Sequence, residues 1–132
     1  MSKSAIYTVN PNTQTVVNGG TVALGDVVRR FGCHAMLNGE TIRLNGEGYY
    51  LINISMTVSP STVGTITATL LNNGVNVVGG VASETVAAVD DSVNLSITGI
   101  VRVYCGNTGA LSVQINGTEA DVTNISVTVV KL

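Results

Sequence analysis

Hydrophobic and polar side chains alternate along most of this chain with a period of two residues. In the segment 50–58, YLINISMTV, the even-numbered residues are all apolar, and the odd-numbered residues 53, 55 and 57 are Asn, Ser and Thr. The same alternation recurs in the segments 65–70, 93–105, 111–115 and 125–129. Alternation of this kind predicts antiparallel strands with one face in a core and the other face outward.

Turn residues separate these predicted strands. Asn-Gly or Gly-Gly pairs occur within 18–20, 38–39, 45–46, 73–74, 79–80 and 116–117, and such pairs supply the positive φ angles of tight hairpins. Helix signals are nearly absent, because Thr and Val are abundant and suit a pleated surface better than a helix. The sequence therefore predicts an all-β, antiparallel sandwich of two sheets with about eight to ten strands.

The chain divides into a short N-terminal segment and one domain. Residues 1–12 contain Asn10-Pro11-Asn12 and are interpreted as an arm that is loosely held or docked on a partner. The apolar or ring-bearing residues Ile6, Tyr7, Val9 and Pro11 would make the docking contacts. Residues 13–132 form the predicted sandwich, with the apolar C-terminal segment as a central strand.

Charge is scarce and unevenly placed. Charged residues make up 11% of the 132 residues, against about 25% in ordinary soluble domains. The 36 residues from 48 to 83 contain no Asp, Glu, Lys or Arg. We interpret this as a sign that some outward faces contact other subunits, since solvated surfaces normally carry both signs of charge. The alternative is a solvent-exposed surface coated with Ser, Thr and Asn.

Composition argues against several classes of partner. The formal net charge is −2 and the chain has five aromatic residues, whereas a nucleic-acid-binding domain shows a basic stripe with interleaved aromatics. No apolar run reaches the ~20 residues of a membrane helix, and the start lacks the pattern of a secretory signal. We therefore expect no nucleic acid, no membrane and no secretion.

A repeated Leu-Asn-Gly-Glu at 37–40 and 44–47 is the most motif-like stretch. It lacks the strand–GxxxxGK–helix context of a phosphate loop and the ligand spacing of an EF-hand. Glu40 and Glu47 also lack the aromatic platform expected of a glycosidase pair. We interpret each Asn-Gly as a turn flanking the short strand 41–44.

Other candidate chemistry is sparse. His34 is the only histidine, and its neighbour Cys33 would point to the opposite face of a strand. Cys33 and Cys105 are expected to be reduced and buried, with a disulfide as the alternative. Asp90 and Asp91 could hold a cation, although a solvated loop explains them as well. We expect no enzyme, because no nucleophile has an activating base, and no cofactor.

Arg29 and Arg30 lie in an alternating segment, so they should face opposite sides. One of them would then point inward or towards a partner subunit, where it would need a carboxylate. The alternative is an edge strand whose arginines extend along the surface into solvent.

Several segments in the same order resemble a known superfamily: VVRRFG at 27–32, GYY at 48–50, TLLNNG at 69–74, SVNLSI at 92–97 and VTNISVTVVKL at 122–132. Together they resemble the jelly roll of the tumour necrosis factor and complement globular-head superfamily, and more closely its bacterial and bacteriophage members. The resemblance covers residues 13–132.

The resemblance implies a jelly roll that assembles as a homotrimer about an apolar axis. Tyr49, Tyr50 and Ile52, with Arg29 and Arg30, would lie at the trimer interface. The chain has no collagen-like repeat, unlike stalked spore-surface proteins.

These observations lead to one main functional hypothesis. We expect a structural protein of a bacteriophage virion, either a capsid decoration or a head-fibre knob, that is assembled in the host cytoplasm and contacts other virion proteins. The alternatives are a tip that binds a receptor or a glycan through the loops 72–80 or 82–91, and a protein of the bacterial surface or spore coat.

Overall fold

The computed structural model describes residues 3–88 and 91–132 and shows an all-β protein. Eleven strands lie in the described residues: β1 Ala5–Asn10, β2 Gln14–Val16, β3 Asp26–Phe31, β4 Ala35–Asn38, β5 Thr41–Asn45, β6 Gly48–Pro60, β7 Gly64–Asn72, β8 Val75–Val86, β9 Val93–Val103, β10 Thr108–Asn116 and β11 Ala120–Lys131. Within these ranges there is no helix, and so none that could span a membrane.

The strands form two antiparallel sheets packed face to face. One sheet has the order β3-β1-β11-β6-β9, with the short β2 also paired to β11, and the other has the order β4-β5-β10-β7-β8. The predicted two-sheet antiparallel sandwich is confirmed. The strand number is slightly above the predicted range because the short strands β2 and β4 carry little alternation of their own.

The core lies between the sheets and follows the alternation. In β6 the side chains of Ile52, Ile54 and Val58 are 0% exposed, and Met56 is 1% exposed. Strands β9, β10 and β11 contribute alternating apolar residues to the same core cluster. Apolar burial on this scale is the main driving force for folding, at roughly 1.5–3 kcal/mol for each large side chain.

The repeated Leu-Asn-Gly-Glu forms turns around β5, as predicted. Gly39 has a φ of 63° in the β4–β5 turn, and Gly46 has a φ of 100° between β5 and β6. Positive φ angles are accessible to glycine at no steric cost, which explains why Gly follows Asn at both turns.

The predicted N-terminal arm is instead strand β1, and that prediction was wrong. Ala5–Asn10 pairs with β11 on one side and with β3 on the other. Ile6 is 1% exposed and belongs to the core. The Asn-Pro-Asn segment therefore follows a strand and does not belong to an arm. Ala5 pairs with Val130, so the first and the last strand of the chain are neighbours in the sheet.

The segments proposed as ligand-binding loops belong largely to strand β8. Asn73 and Gly74 form the β7–β8 turn with positive φ angles, and β8 runs from there to Val86. Its pairing with β7 shifts register between Thr69 and Leu71, so residues 77–80 form a bulge in β8. Val78 at this bulge is fully exposed. Edge strands commonly contain such bulges, which discourage uncontrolled pairing.

Candidate subunit interface

A continuous row of apolar residues crosses the outer face of the six-stranded sheet. Registered neighbours on antiparallel strands point to the same side of a sheet. The register links one outward-facing residue from each of five adjacent strands, which we call the apolar row: Ile100, Leu51, Val130, Ala5 and Phe31. Ile100 is 56% exposed, Leu51 36% and Phe31 60%. Isolated exposed apolar residues are ordinary, whereas a contiguous set across a sheet marks a contact surface.

The zone next to the row is uncharged and polar, and charged residues on this face, among them Arg29 and Arg102, lie on its two edge strands. Next to the row, Thr98, Asn53, Thr128 and Tyr7 are registered neighbours, and further along β6 the outward residues are Ser and Thr. Side-chain hydroxyl and amide groups form hydrogen bonds across the strands; the Thr98 hydroxyl, for example, donates to the side-chain oxygen Oδ1 of Asn53. An exposed apolar zone and a Ser/Thr/Asn-coated zone therefore both occur on this face, and whether the apolar zone contacts other subunits stays a prediction.

Arg102 is the charged side chain among the outward-facing residues of β9. Its guanidinium carbon lies 5.3 Å from the ring centroid of Tyr49 and 4.4 Å from that of Tyr104. Both rings are about half exposed. Cation–π contacts at these distances hold the guanidinium in one orientation.

Of the tyrosine pair, only Tyr49 faces outward. Tyr50 and Ile52 are both 0% exposed, so assigning their side chains to a contact between subunits was wrong. The Tyr50 hydroxyl lies 2.9 Å from the carbonyl oxygen of Asn45 and 2.8 Å from that of Gly46, and donates to them. Burial, with a smaller effect of Cys33, raises the pKa of Tyr50 above its usual value of 10.0.

Arg29 and Arg30 lie on the edge strand β3 and face opposite sides, as the alternation predicts. Both are exposed, so the inward, buried arginine is not found, and the edge-strand alternative describes them. Arg29 pairs in register with Tyr7 on the outer face. Arg30 turns back and donates from Nε to the carbonyl oxygen of Ala35 at 3.0 Å.

The two cysteines are exposed and free, which corrects the expectation of buried thiols. Cys33 lies in the bend after β3, and Cys105 lies in the turn after β9 rather than within that strand. The ring of His34 donates from Nδ1 to the carbonyl oxygen of Asn45 at 2.7 Å, and its buried Nε2 has no partner. The imidazole is therefore held by a backbone carbonyl group.

The acidic residues considered as ligands are dispersed. Glu40 and Glu47 lie in the two turns on either side of β5. Asp90 lies outside the described residues, so the proposed Asp90–Asp91 pair stays a prediction. Within residues 3–88 and 91–132, no three His, Cys, Asp or Glu side chains are grouped as a metal site would require.

Comparison with known proteins identifies the fold. The sequence matches no protein-family model and no curated protein. Among solved structures, murine APRIL is 16% identical with a TM-score of 0.77, over 99% of this chain and 100% of that one. Eiger TNF from S. frugiperda is 11% identical with a TM-score of 0.71, over 98% and 91%. The PRD1 vertex protein P5 is 14% identical with a TM-score of 0.62, over 98% and 96%. The chain therefore has a tumour necrosis factor-like jelly-roll fold.

Proposed function

We propose that this protein is a non-enzymatic structural component of a bacteriophage virion, and that it works as a homotrimer whose subunits meet through the apolar row. The observation that carries the proposal is the row itself, which places an exposed Ile, Leu and Phe on one sheet face. Removing such groups from water stabilises association by roughly 25 cal/mol for each Å² of apolar surface.

Three subunits suit this surface better than two. A ring of three forms by heterologous contact, in which the row of one subunit meets a different surface of the next. Strand β8 offers a second apolar surface, because Val75, Val78 and Val81 are all exposed along it. The sequence resemblance to the tumour necrosis factor superfamily implies the same number of subunits.

A virion role is supported by one structural neighbour and by the surface. The PRD1 vertex protein P5 has this fold, and its name assigns it to the vertex of a particle. A trimer with a sparsely charged surface suits a fixed position on a capsid or fibre, where its own symmetry can match a local three-fold axis. Within β1, Tyr7 is exposed and could contact another virion protein, as could the following Pro11. Ile6 faces the core and could not.

Leu51→Glu tests the interface, because it places a carboxylate in the middle of the apolar row. A charge buried without a partner costs several kcal/mol, so we expect light scattering to show a single-chain mass for this variant. Thr65→Glu is the matched control, since Thr65 is exposed on the other sheet, and it should keep the wild-type mass. A Leu51→Glu protein that retains the wild-type trimer would refute this interface.

The virion role is tested separately on particles. Mass spectrometry of purified virions should find this chain in a copy number divisible by three. Purified virions that lack the chain while infected cells contain it would contradict the proposal.

A further inference from the structure

The Asn-Gly pairs of the turns share one spontaneous reaction, deamidation. They lie at 18–19, 38–39, 45–46, 73–74 and 116–117. Glycine has no Cβ, so the backbone nitrogen that follows each asparagine is sterically open to the asparagine side chain. All of these pairs have the same local chemistry. Any difference in their reactivity therefore arises from how the fold holds the two reacting groups, which are the side-chain amide and the glycine nitrogen.

The reaction is an intramolecular substitution. The glycine nitrogen gives up its proton to hydroxide and attacks Cγ of the asparagine, and the new N–C bond closes a succinimide ring. The Cγ–Nδ2 bond breaks, and the amide nitrogen takes up a proton and leaves as ammonia. One water molecule then opens the ring at either carbonyl group and gives aspartate or isoaspartate. A hydrogen bond that immobilises either reacting group opposes the first step.

Hydrogen bonds engage both reacting groups at two of the pairs. The N–H of Gly19 donates to a carbonyl oxygen of β10 at 2.7 Å. The side-chain oxygen of Asn18 accepts from the N–H of Gly117 at 3.0 Å, so this one bond restrains a group of each pair. The amide of Asn116 donates to Oε1 of Gln114 at 3.1 Å. The pairs at 18–19 and 116–117 are therefore restrained at both groups.

Two further pairs are restrained at one group each. The peptide group that joins Asn45 to its glycine is half-buried, and its carbonyl oxygen accepts hydrogen bonds from the Tyr50 hydroxyl and the His34 ring. The amide of Asn73 donates to the carbonyl oxygen of Thr108 at 3.0 Å. Each of these contacts must break before the reacting groups can meet.

The pair Asn38-Gly39 has none of these restraints. Asn38 is exposed at the end of β4, a four-residue strand at the edge of its sheet. Among the described residues, neither the Asn38 amide nor the Gly39 N–H has a hydrogen-bond partner. No atom beyond the chain neighbours lies within 4 Å of where a Cβ would project from Gly39. Short edge segments with few contacts also open locally at low cost.

We propose that Asn38 is the site of spontaneous deamidation in the folded protein. Each hydrogen bond that must first break lowers the reactive population by about 2- to 12-fold. Asn73, with one such bond, should react next, and Asn18 and Asn116 should react more slowly still. Strand β4 is at the edge of its sheet opposite β8, so Asn38 lies on neither surface that the proposed trimer buries. This inference goes beyond the proposed function and does not depend on it.

The reaction would change the charge of one outer cleft. Asn38 and Arg43 line it together, and Arg43 is the one charged residue among its lining residues. The product places a carboxylate in the cleft with that guanidinium and adds one negative charge to the formal net charge of −2. A cleft with a single cation thereby gains the opposite charge.

Peptide mapping by mass spectrometry tests the proposal on wild-type protein incubated in mildly alkaline buffer. It measures the conversion at each pair, because each reaction replaces an NH₂ group by OH. In the native protein, Asn38 should convert at least about tenfold faster than Asn18 and Asn116, and faster than Asn45 and Asn73. In concentrated urea, where the fold and its hydrogen bonds are lost, the rates at all of the pairs should converge.

Two variants give a second readout by ion-exchange chromatography of the native protein. The wild type should gain a more acidic form with time, and Asn38→Gln should lose this fast change, because the longer side chain would have to close a larger ring. Asn73→Gln makes the same change in another turn and should gain the acidic form at the wild-type rate. Equal rates at all of the pairs in the native protein, or a faster reaction at Asn73, would overturn the proposal. So would an Asn38 that stays intact in the native protein while every pair reacts in urea.

Discussion

Replacing Tyr50 by phenylalanine removes one hydroxyl from the interior of the sandwich and leaves the ring in place. That hydroxyl donates to the carbonyl oxygens of Asn45 and Gly46. In the variant the Asn45 oxygen keeps the hydrogen bond that it accepts from the His34 ring, whereas the Gly46 oxygen loses the hydrogen bond that it accepts from the tyrosine hydroxyl. Leaving a buried acceptor without a partner costs about 1–3 kcal/mol, and because the bond to Gly46 is only partly buried, the lower end of that range, about 1 kcal/mol, applies. We expect the free energy of unfolding to fall by that amount, and Tm to fall by about 2–8 °C for each kcal/mol.

The same variant should change the response to alkaline pH. Burial raises the pKa of Tyr50 above 10.0 in the folded protein, while a tyrosine in the unfolded chain titrates near 10. Above that pH the unfolded chain has lost a proton that the folded protein still holds, so stability falls as pH rises. Below about pH 10 the contribution is fully present. The phenylalanine ring of the variant has no hydroxyl proton to lose, so the stability gap between wild type and Tyr50→Phe should narrow above about pH 10.

Urea unfolding followed by circular dichroism, at matched protein concentration and at several pH values, measures both effects. Tyr7→Phe is the control, because the Tyr7 ring is partly exposed, and it should change stability by less than about 0.5 kcal/mol. Parallel stability curves for wild type and Tyr50→Phe through the alkaline range would refute the reasoning about burial.

Three further outcomes follow from packing and exposure. Gly46→Ala should destabilise the protein by at least about 1–2 kcal/mol in urea unfolding, because the new Cβ would overlap the His34 ring and φ is 100°. Thr8→Val should stabilise it by about 0.5–2 kcal/mol in the same assay, since the buried Thr8 hydroxyl has no hydrogen-bond partner. Both cysteines should react with a thiol reagent in the native protein, because both are exposed. The absorbance of the product released by the reagent gives the number of reactive thiols per chain. A number below two would contradict the structure.

The sequence predicts those features that depend on neighbouring residues. The alternation in β6 correctly places Ile52 and Met56 in the core, and the Asn-Gly turns at 38–39 and 45–46 occur where expected. Assigning Tyr50 and Ile52 to an interface by resemblance conflicted with that alternation, and burial follows the alternation. For these two residues the local periodicity predicted burial correctly and the resemblance did not, because periodicity determines which side of a strand a residue faces.

Features that depend on long-range pairing could not be predicted in this way. The segment 5–9 alternates weakly, and it becomes a strand because β11 and β3 flank it. The apolar row is equally invisible in the sequence, since Ala5 and Val130 become neighbours only through the register of β1 with β11. In the sequence, Cys105 continues the alternation of apolar residues in β9. In the structure the strand ends at Val103, and Cys105 lies in the following turn, where its thiol is exposed.

The account rests on the claim that the sheet face carrying the apolar row closes a trimer. Light scattering after size exclusion of the wild-type protein tests it most directly, in dilute buffer and in about 1 M NaCl, where charges are screened beyond about 3 Å. The account predicts a mass of three times 13.5 kDa in both buffers, because apolar burial does not depend on ion pairs. A mass of one chain, or a trimer that dissociates in high salt, would contradict it.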